Sequence, residues 1–156
     1  MAESSLDRRE VVAHLLARRE GLLVVTGLGS PTYDVHAAGD HDGNFYLWGA
    51  MGSAADNLVV VVIDNDHFGE TGMQTSHTGH GLDLASVAQS CGFAETRTVR
   101  DMAGVDQVAR ALDSRSSGAR FYAIKVKSEN PPRSLPLRDA VHIKNRFRAH
   151  LGLETI

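Results

Sequence analysis

Val11, Val12, Leu15 and Leu16 recur at helical spacing with arginines on the other faces. This predicts a first helix, capped by Ser4 or Ser5 and ended at Gly21. A short apolar run over 22–26 reads as a buried strand, and the glycine-rich stretch 27–30 leads into a brief helical segment ending at Gly39. The run 45–48 is a second apolar strand. The clearest strand is 58–63, a continuous and mostly β-branched run, which implies burial on both faces as in a parallel sheet covered by helices. A polar loop over 67–81 follows. A helix is predicted over 82–90 and closed by Gly92, then a modest strand over 96–99 and an amphipathic helix over 105–112. A strand over 121–126 comes next. Pro131, Pro132 and Pro136 break the chain before a last helix over 137–151, basic on its exposed side.

Alternating strands and helices predict a single α/β domain over 1–156, an open, mainly parallel sheet with helices on both faces. In such sheets ligands sit outside the carboxyl ends of the strands. Three polar or glycine-rich loops lie at predicted strand ends, at 27–32, 49–53 and 65–72. That coincidence places a candidate site there.

Composition narrows the class without naming a reaction. The 156 residues are 42% hydrophobic and 22% charged, enough apolar material for one core and too little charge for a disordered chain. No apolar run approaches the roughly 20 residues that span a bilayer, and the polar N-terminus does not read as a signal peptide. A single cysteine rules out an internal disulfide and suits the cytoplasm. A net charge of −3 gives no electrostatic footprint for nucleic acid.

The loops carry the candidate chemistry. Gly29, Ser30 and Thr32 follow a strand and open a helix, where free N–H groups and hydroxyls attract phosphate. The Lys-Ser/Thr ending of a Walker loop is missing, and a plain turn fits the same residues. Asp64, Asn65 and Asp66 end the best strand. Their hard oxygens suit Mg²⁺, although an Asx turn capping a strand uses the same residues. His67, His77 and His80, with Cys91, match no standard zinc spacing and read as loop decoration. His14, His142 and His150 fall on predicted helix faces. Cys91 reads as a small core residue rather than a nucleophile.

Taken together, NFYLWGAMGSA (44–54), DNLVVVVIDNDHFGETGMQ (56–74) and DLASVAQSCGF (83–93) resemble the diphosphate-binding domain of thiamine-diphosphate decarboxylases, most closely the sulfopyruvate decarboxylase β subunit and phosphonopyruvate decarboxylase group. GSPTYDVHAAGD (29–40) and VHIKNRFRAHLG (141–152) fit the same group. The resemblance implies a 2-oxo-acid decarboxylase subunit that uses thiamine diphosphate and Mg²⁺. Gly49, Ala50, Met51 and Gly52 match the loop that receives the aminopyrimidine, with the Gly49 carbonyl as acceptor and Met51 wedged between the two rings. Ser30 matches a diphosphate contact, with Gly29 and Thr32 beside it. Asn65 matches the second half of the metal motif, with the His67 carbonyl as a further ligand. Gly69 and Glu70 offer backbone donors to the diphosphate, and the loop reaching Gln74 and Thr75 closes near the substrate. A sulfonate or phosphonate substrate would want cations, for which Arg133 and the last helix are candidates, although a solvated basic face is the plainer reading.

Two departures from the family pattern matter. Family members continue after the pyrimidine loop with a helix and a strand ending in Gly-Asp-Gly, whose aspartate is the main protein ligand to Mg²⁺. Here Ala55 runs straight into Asp56, so roughly 40 residues seem absent, about the size of a βαβ-type insertion. The sequence contains no Gly-Asp-Gly, and Gly39-Asp40 lies too early to replace it. The expectation is a segment left out near 55–56 rather than deleted, because losing a central strand and its helix would exceed the ~5–15 kcal/mol a domain has to spare. The chain also lacks the partner pyrimidine domain, which in this family supplies a catalytic glutamate. The resemblance therefore implies a pyrimidine-domain partner subunit, an oligomer and a small 2-oxo-acid substrate, with no catalytic residue of this chain's own. The alternatives are a related thiamine-diphosphate enzyme acting on 2-oxo acids, and a non-catalytic relative that has lost Mg²⁺–cofactor binding.

Overall fold

A computed structural model describes residues 4–19, 21–26, 30–46, 57–114 and 117–155. The chain begins with α1 (Arg8–Leu16), β1 (Val24–Thr26), α2 (Ser30–Ala38) and β2 (Asn44–Tyr46). It continues through β3 (Val59–Asp64), the short hairpin strands β4 (His67–Phe68) and β5 (Gln74–Thr75), and α3 (Leu84–Ser90). It closes with β6 (Glu95–Val99), α4 (Met102–Leu112), β7 (Arg120–Lys125) and α5 (Ala140–His150). A single 3-10 turn, Gly69–Thr71, joins β4 to β5.

The principal sheet is parallel in the order β3-β7-β6, with β7 in the centre. β1 and β2 form a second parallel pair, and β4 and β5 pair antiparallel. The architecture is therefore an open α/β sheet, as the alternating pattern predicts. Period-two alternation sorts β7 between two faces. Tyr122, Ile124 and the following Val126 pack with Val11, Leu15, Val105 and Val108 from α1 and α4. Ala123 and Lys125 face the other way, toward the end of the sheet where α3 packs on β6 and β7. Val12 of α1 reaches the smaller cluster of Val35 and Tyr46, and Ile63 packs against both clusters. Helix α1 thus ties the two parallel sheets together.

Four helices start on an aspartate. Asp7, Asp83, Asp101 and Asp139 each sit in extended backbone and accept an N–H from the first turn. The predicted serine cap is corrected accordingly: Asp7 takes the Glu10 N–H at 2.9 Å, while the Ser4 hydroxyl donates to the Lys125 carbonyl. A carboxylate cap also favours the helix dipole, which a serine does not. Two burial expectations also fail. Val59 through Ile63 are only half-buried, because among the described residues β3 pairs with β7 alone. Cys91 is exposed at the end of α3 rather than in the core. The loop predicted over 67–81 contains the β4–β5 hairpin. Among the described residues no helix is long and apolar enough to cross a membrane.

Candidate functional site at the strand ends

The end of β3 is shaped by two consecutive Asx turns. The Asp66 N–H donates to Asp64 Oδ1 at 2.9 Å, and the His67 N–H donates to Asn65 Oδ1 at 3.1 Å. Local side-chain acceptors of this kind satisfy a backbone that has left its ladder. Asp66 adopts a left-handed φ of 62°, which folds the chain back into the hairpin. The Ser128 hydroxyl donates to the Asn65 carbonyl at 2.8 Å and lies 2.6 Å from His67 Nδ1. The Asn130 amide donates to the Gly69 carbonyl at 3.1 Å, and a Cβ on Gly69 would lie 2.9 Å from Asn130 Oδ1. The segment after β7 therefore buttresses the whole turn.

Charge is distributed unevenly around this loop. No lysine or arginine occurs between Arg19 and Arg97. The cations that reach the loop come from β7 and beyond. Lys125 Nζ lies 2.7 Å from Asp64 Oδ2 and 2.5 Å from Asp66 Oδ1. Asp64 also accepts the Thr78 hydroxyl at 2.7 Å. Burial would raise the Asp64 carboxyl, but the Lys125, Thr78 and backbone hydrogen bonds outweigh it and hold it below the usual carboxylate range. Burial would lower Lys125, yet its two carboxylate partners raise it above the ordinary lysine value. Arg133 pairs with Glu70 at 2.8 Å and sits 5.6 Å above the Tyr33 ring.

That second contact links the predicted 65–72 loop to the first turn of α2. Glu70 and Tyr33, in the first turns of α2, share one small cleft of about 50 Å³ with Arg8, Asp34, Asn130 and Arg133. The loop after β3 and the start of α2 therefore lie on the same side of the molecule. A second cavity of about 220 Å³ opens at the carboxyl ends of β3, β6 and β7, between Asp64, Thr78, Asp83, Thr98, Arg100 and Lys125.

The residues singled out in the sequence have different fates. Asn65, His67, Gly69 and Glu70 are adjacent in the turn and hairpin just described. Ser30 opens α2. Thr32 is buried and donates its hydroxyl to Thr26 Oγ1 at 3.0 Å. Gly29, Gly49, Ala50, Met51 and Gly52 lie outside the described residues, as does the junction at 55–56. Lys125, Ser128 and Asn130 escaped the sequence reading, because only the parallel register brings them to the turn. One signal was available for Lys125, the single charge in the otherwise apolar stretch 121–126.

A bound Mg²⁺ would have to draw its ligands from this turn. The ion favours carboxylate oxygens alongside phosphate and water. Both carboxylates of the turn are already paired with Lys125, and Asn65 Oδ1 accepts a backbone N–H. Among the described residues no three histidine, cysteine or acidic groups converge. The turn as it stands does not fit a divalent ion. The loop of Gly69 and Glu70 beside α2 is suitably placed to meet an anionic group, but its cleft is too small to enclose a cofactor.

Comparison with known proteins follows the same direction as the sequence motifs. No protein-family model matches the chain. It is similar to the sulfopyruvate decarboxylase of Methanosarcina acetivorans, with 24% identity over 94% of this chain and 48% of that protein. The sulfopyruvate decarboxylase subunit beta of Methanothermobacter thermautotrophicus is 26% identical over 91% of this chain and 94% of its own length. The Methanocaldococcus jannaschii subunit beta is 25% identical over 46% of this chain and 58% of that subunit. The chain thus spans about half the length of the first of these relatives. That alignment runs over 186 positions, whereas 94% of 156 residues is about 147, so about 39 positions face no residue of this chain. The Methanocaldococcus alignment runs over 109 positions for 46% of the chain, about 72 residues, so its roughly 37 unmatched positions fall within that short window. At 24–26% identity, the chain is thus distantly similar to proteins named sulfopyruvate decarboxylase.

Proposed function

We propose that this chain is the β-type subunit of a 2-oxo-acid decarboxylase of the sulfopyruvate type, acting with a partner subunit and thiamine diphosphate. The observation that carries the reading is the juxtaposition of the Asn65–Glu70 turn and the start of α2 at the carboxyl side of the strands, in a chain whose relatives bear that name. The cofactor would supply the electron sink for loss of carbon dioxide. The chain's own part is to bind and orient. The backbone N–H groups of Gly69 and Glu70, with Gly29 and Ser30 at the start of α2, would meet the diphosphate. Gly49, Ala50, Met51 and Gly52 would receive the rings. The glutamate that activates the pyrimidine would come from the partner subunit. Arg133, already shared between Glu70 and the Tyr33 ring, is a cation of this cleft that an acidic substrate would meet.

A second reading has its own support. The Lys125 clamp on Asp64 and Asp66, together with the unmatched positions in the alignments, favours a non-catalytic partner that keeps the fold without the metal. Mixing the chain with a pyrimidine-domain subunit and assaying carbon dioxide release from sulfopyruvate separates the two. Release that requires both chains supports the enzyme. Complex formation without release supports the structural partner.

A further inference from the structure

The turn expected to hold a metal already contains a cation. Lys125 is the register partner of Asp64 across the parallel β3–β7 ladder, so its position is fixed by strand pairing rather than by chance. Its side chain is 8% exposed and that of Asp64 7%. The ammonium touches one oxygen of each carboxylate. Asp64 spends its other oxygen on the Thr78 hydroxyl and the Asp66 N–H. The left-handed backbone at Asp66 brings its carboxylate back over the strand end to reach the same ammonium. Ser4 fixes the Lys125 carbonyl from α1's leading segment, so the lysine backbone is held from a third element. The other charged groups facing this end of the sheet are Asp83 and Arg100. Asp83 is occupied by Thr98 and the first turn of α3.

A divalent ion entering between Asp64 and Asp66 would have to evict Lys125. The evicted ammonium would then be buried without a counter-charge, which is strongly unfavourable. A tethered cation holds the same two carboxylates and is insensitive to metal supply or chelators. We propose that Lys125 is the resident cation of the Asp64–Asp66 turn, bridging the two carboxylates in place of a divalent ion, so that the turn keeps its shape and binds no metal. This does not depend on the decarboxylase reading, and a failed decarboxylation assay leaves it untouched.

Mn²⁺ alone is the probe, titrated into the whole chain while free Mn²⁺ is read by electron paramagnetic resonance. The wild type should bind no Mn²⁺ that Asp66→Asn removes, and EDTA should leave its melting temperature unchanged. Lys125→Met should gain one site, at least tenfold tighter than any site in the wild type and lost again in the Lys125→Met/Asp66→Asn double variant. If Lys125→Met does not fold, the comparison of wild type with Asp66→Asn decides alone. Wild-type Mn²⁺ binding that Asp66→Asn abolishes overturns the proposal, as does a folded Lys125→Met that gains no site.

Discussion

Arg8→Met should be among the most damaging single changes outside the hydrophobic core. Arg8 Nε lies 2.6 Å from Asp34 Oδ2, and the two side chains are 7% and 1% exposed. The contact is ionic rather than a well-aligned hydrogen bond. It joins α1 to α2 and lines the cleft that Glu70 shares. Burial raises the Asp34 carboxyl above the usual range despite Arg8 and, more distantly, Arg9 at 3.8 Å. Removing one partner of a buried pair costs about 3–5 kcal/mol, because the survivor stays buried and charged. Arg9 offsets part of this, so the low end, about 3 kcal/mol, is expected. For a chain of this size that corresponds to a fall in melting temperature of roughly 6–12 °C. The pH dependence gives a second signature. Because the folded Asp34 carboxyl is raised, its contribution to stability is fully present below its unfolded value and is lost as pH rises through the folded value. The Arg8→Met penalty should therefore shrink between pH 7 and pH 4.5, where protonation removes the orphaned charge. Urea denaturation followed by circular dichroism at both pH values measures this. Asp34→Leu added to Arg8→Met should restore most of the loss at pH 7. A cost below about 1 kcal/mol, or an equal cost at both pH values, would refute the reasoning.

Other expectations follow from the turn and its surroundings. Gly79→Ala places a Cβ 2.6 Å from the Asp66 carbonyl oxygen and 2.5 Å from Thr75 Cγ2, so it should cost about 1–3 kcal/mol and speed amide exchange at Ser76, whose N–H bonds Asp66. Asp64 and Asp40 are held below the usual carboxylate range, Asp40 because Arg146 and Tyr46 outweigh its burial. Their stabilisation is present above about pH 4 and lost as pH falls further, so an acid melt should steepen there, and less so in Asp64→Asn. Burial pushes the Tyr46 phenol up to about 12, and its hydrogen bonds with Asn44 and Asp40 lie in the same network. An ultraviolet titration should show a late step near pH 12 that Tyr46→Phe removes. Asn65→Ala removes the acceptor of the His67 N–H, so it should cost about 1 kcal/mol and weaken thiamine diphosphate binding. Unchanged affinity by calorimetry would take Asn65 out of the site.

Local patterns in the sequence reached the helices and the strands of the two parallel sheets, though not the β4–β5 hairpin, because periodicity reports burial directly. The apolar run before Asp64 and the amphipathic stretch around Val105 and Val108 are visible without tertiary knowledge. Helix starts were harder. Asp83, Asp101 and Asp139 each precede a helix by one residue, yet an aspartate serves equally in turns and surfaces, and only backbone geometry singles out the caps. The half-exposure of β3 was not legible, because β-branched runs record what a strand can tolerate and not how many neighbours it has. At the site, the Asn65 turn was readable as a motif. Its actual charge partner was not, since Lys125 lies 61 residues away and arrives through register alone. Arg133 and Glu70 form a comparable long-range pair between exposed side chains.

The central claim is that the β3 turn and the start of α2 together receive a diphosphate. Calorimetric titration of thiamine diphosphate, with unphosphorylated thiamine as control and hydrogen exchange as the spatial readout, tests it most directly. Heat with the diphosphate form alone, and protection at Asn65 to Gly72 and at the first turn of α2, is the predicted result. No heat, or protection confined to α3 and β6, would contradict it.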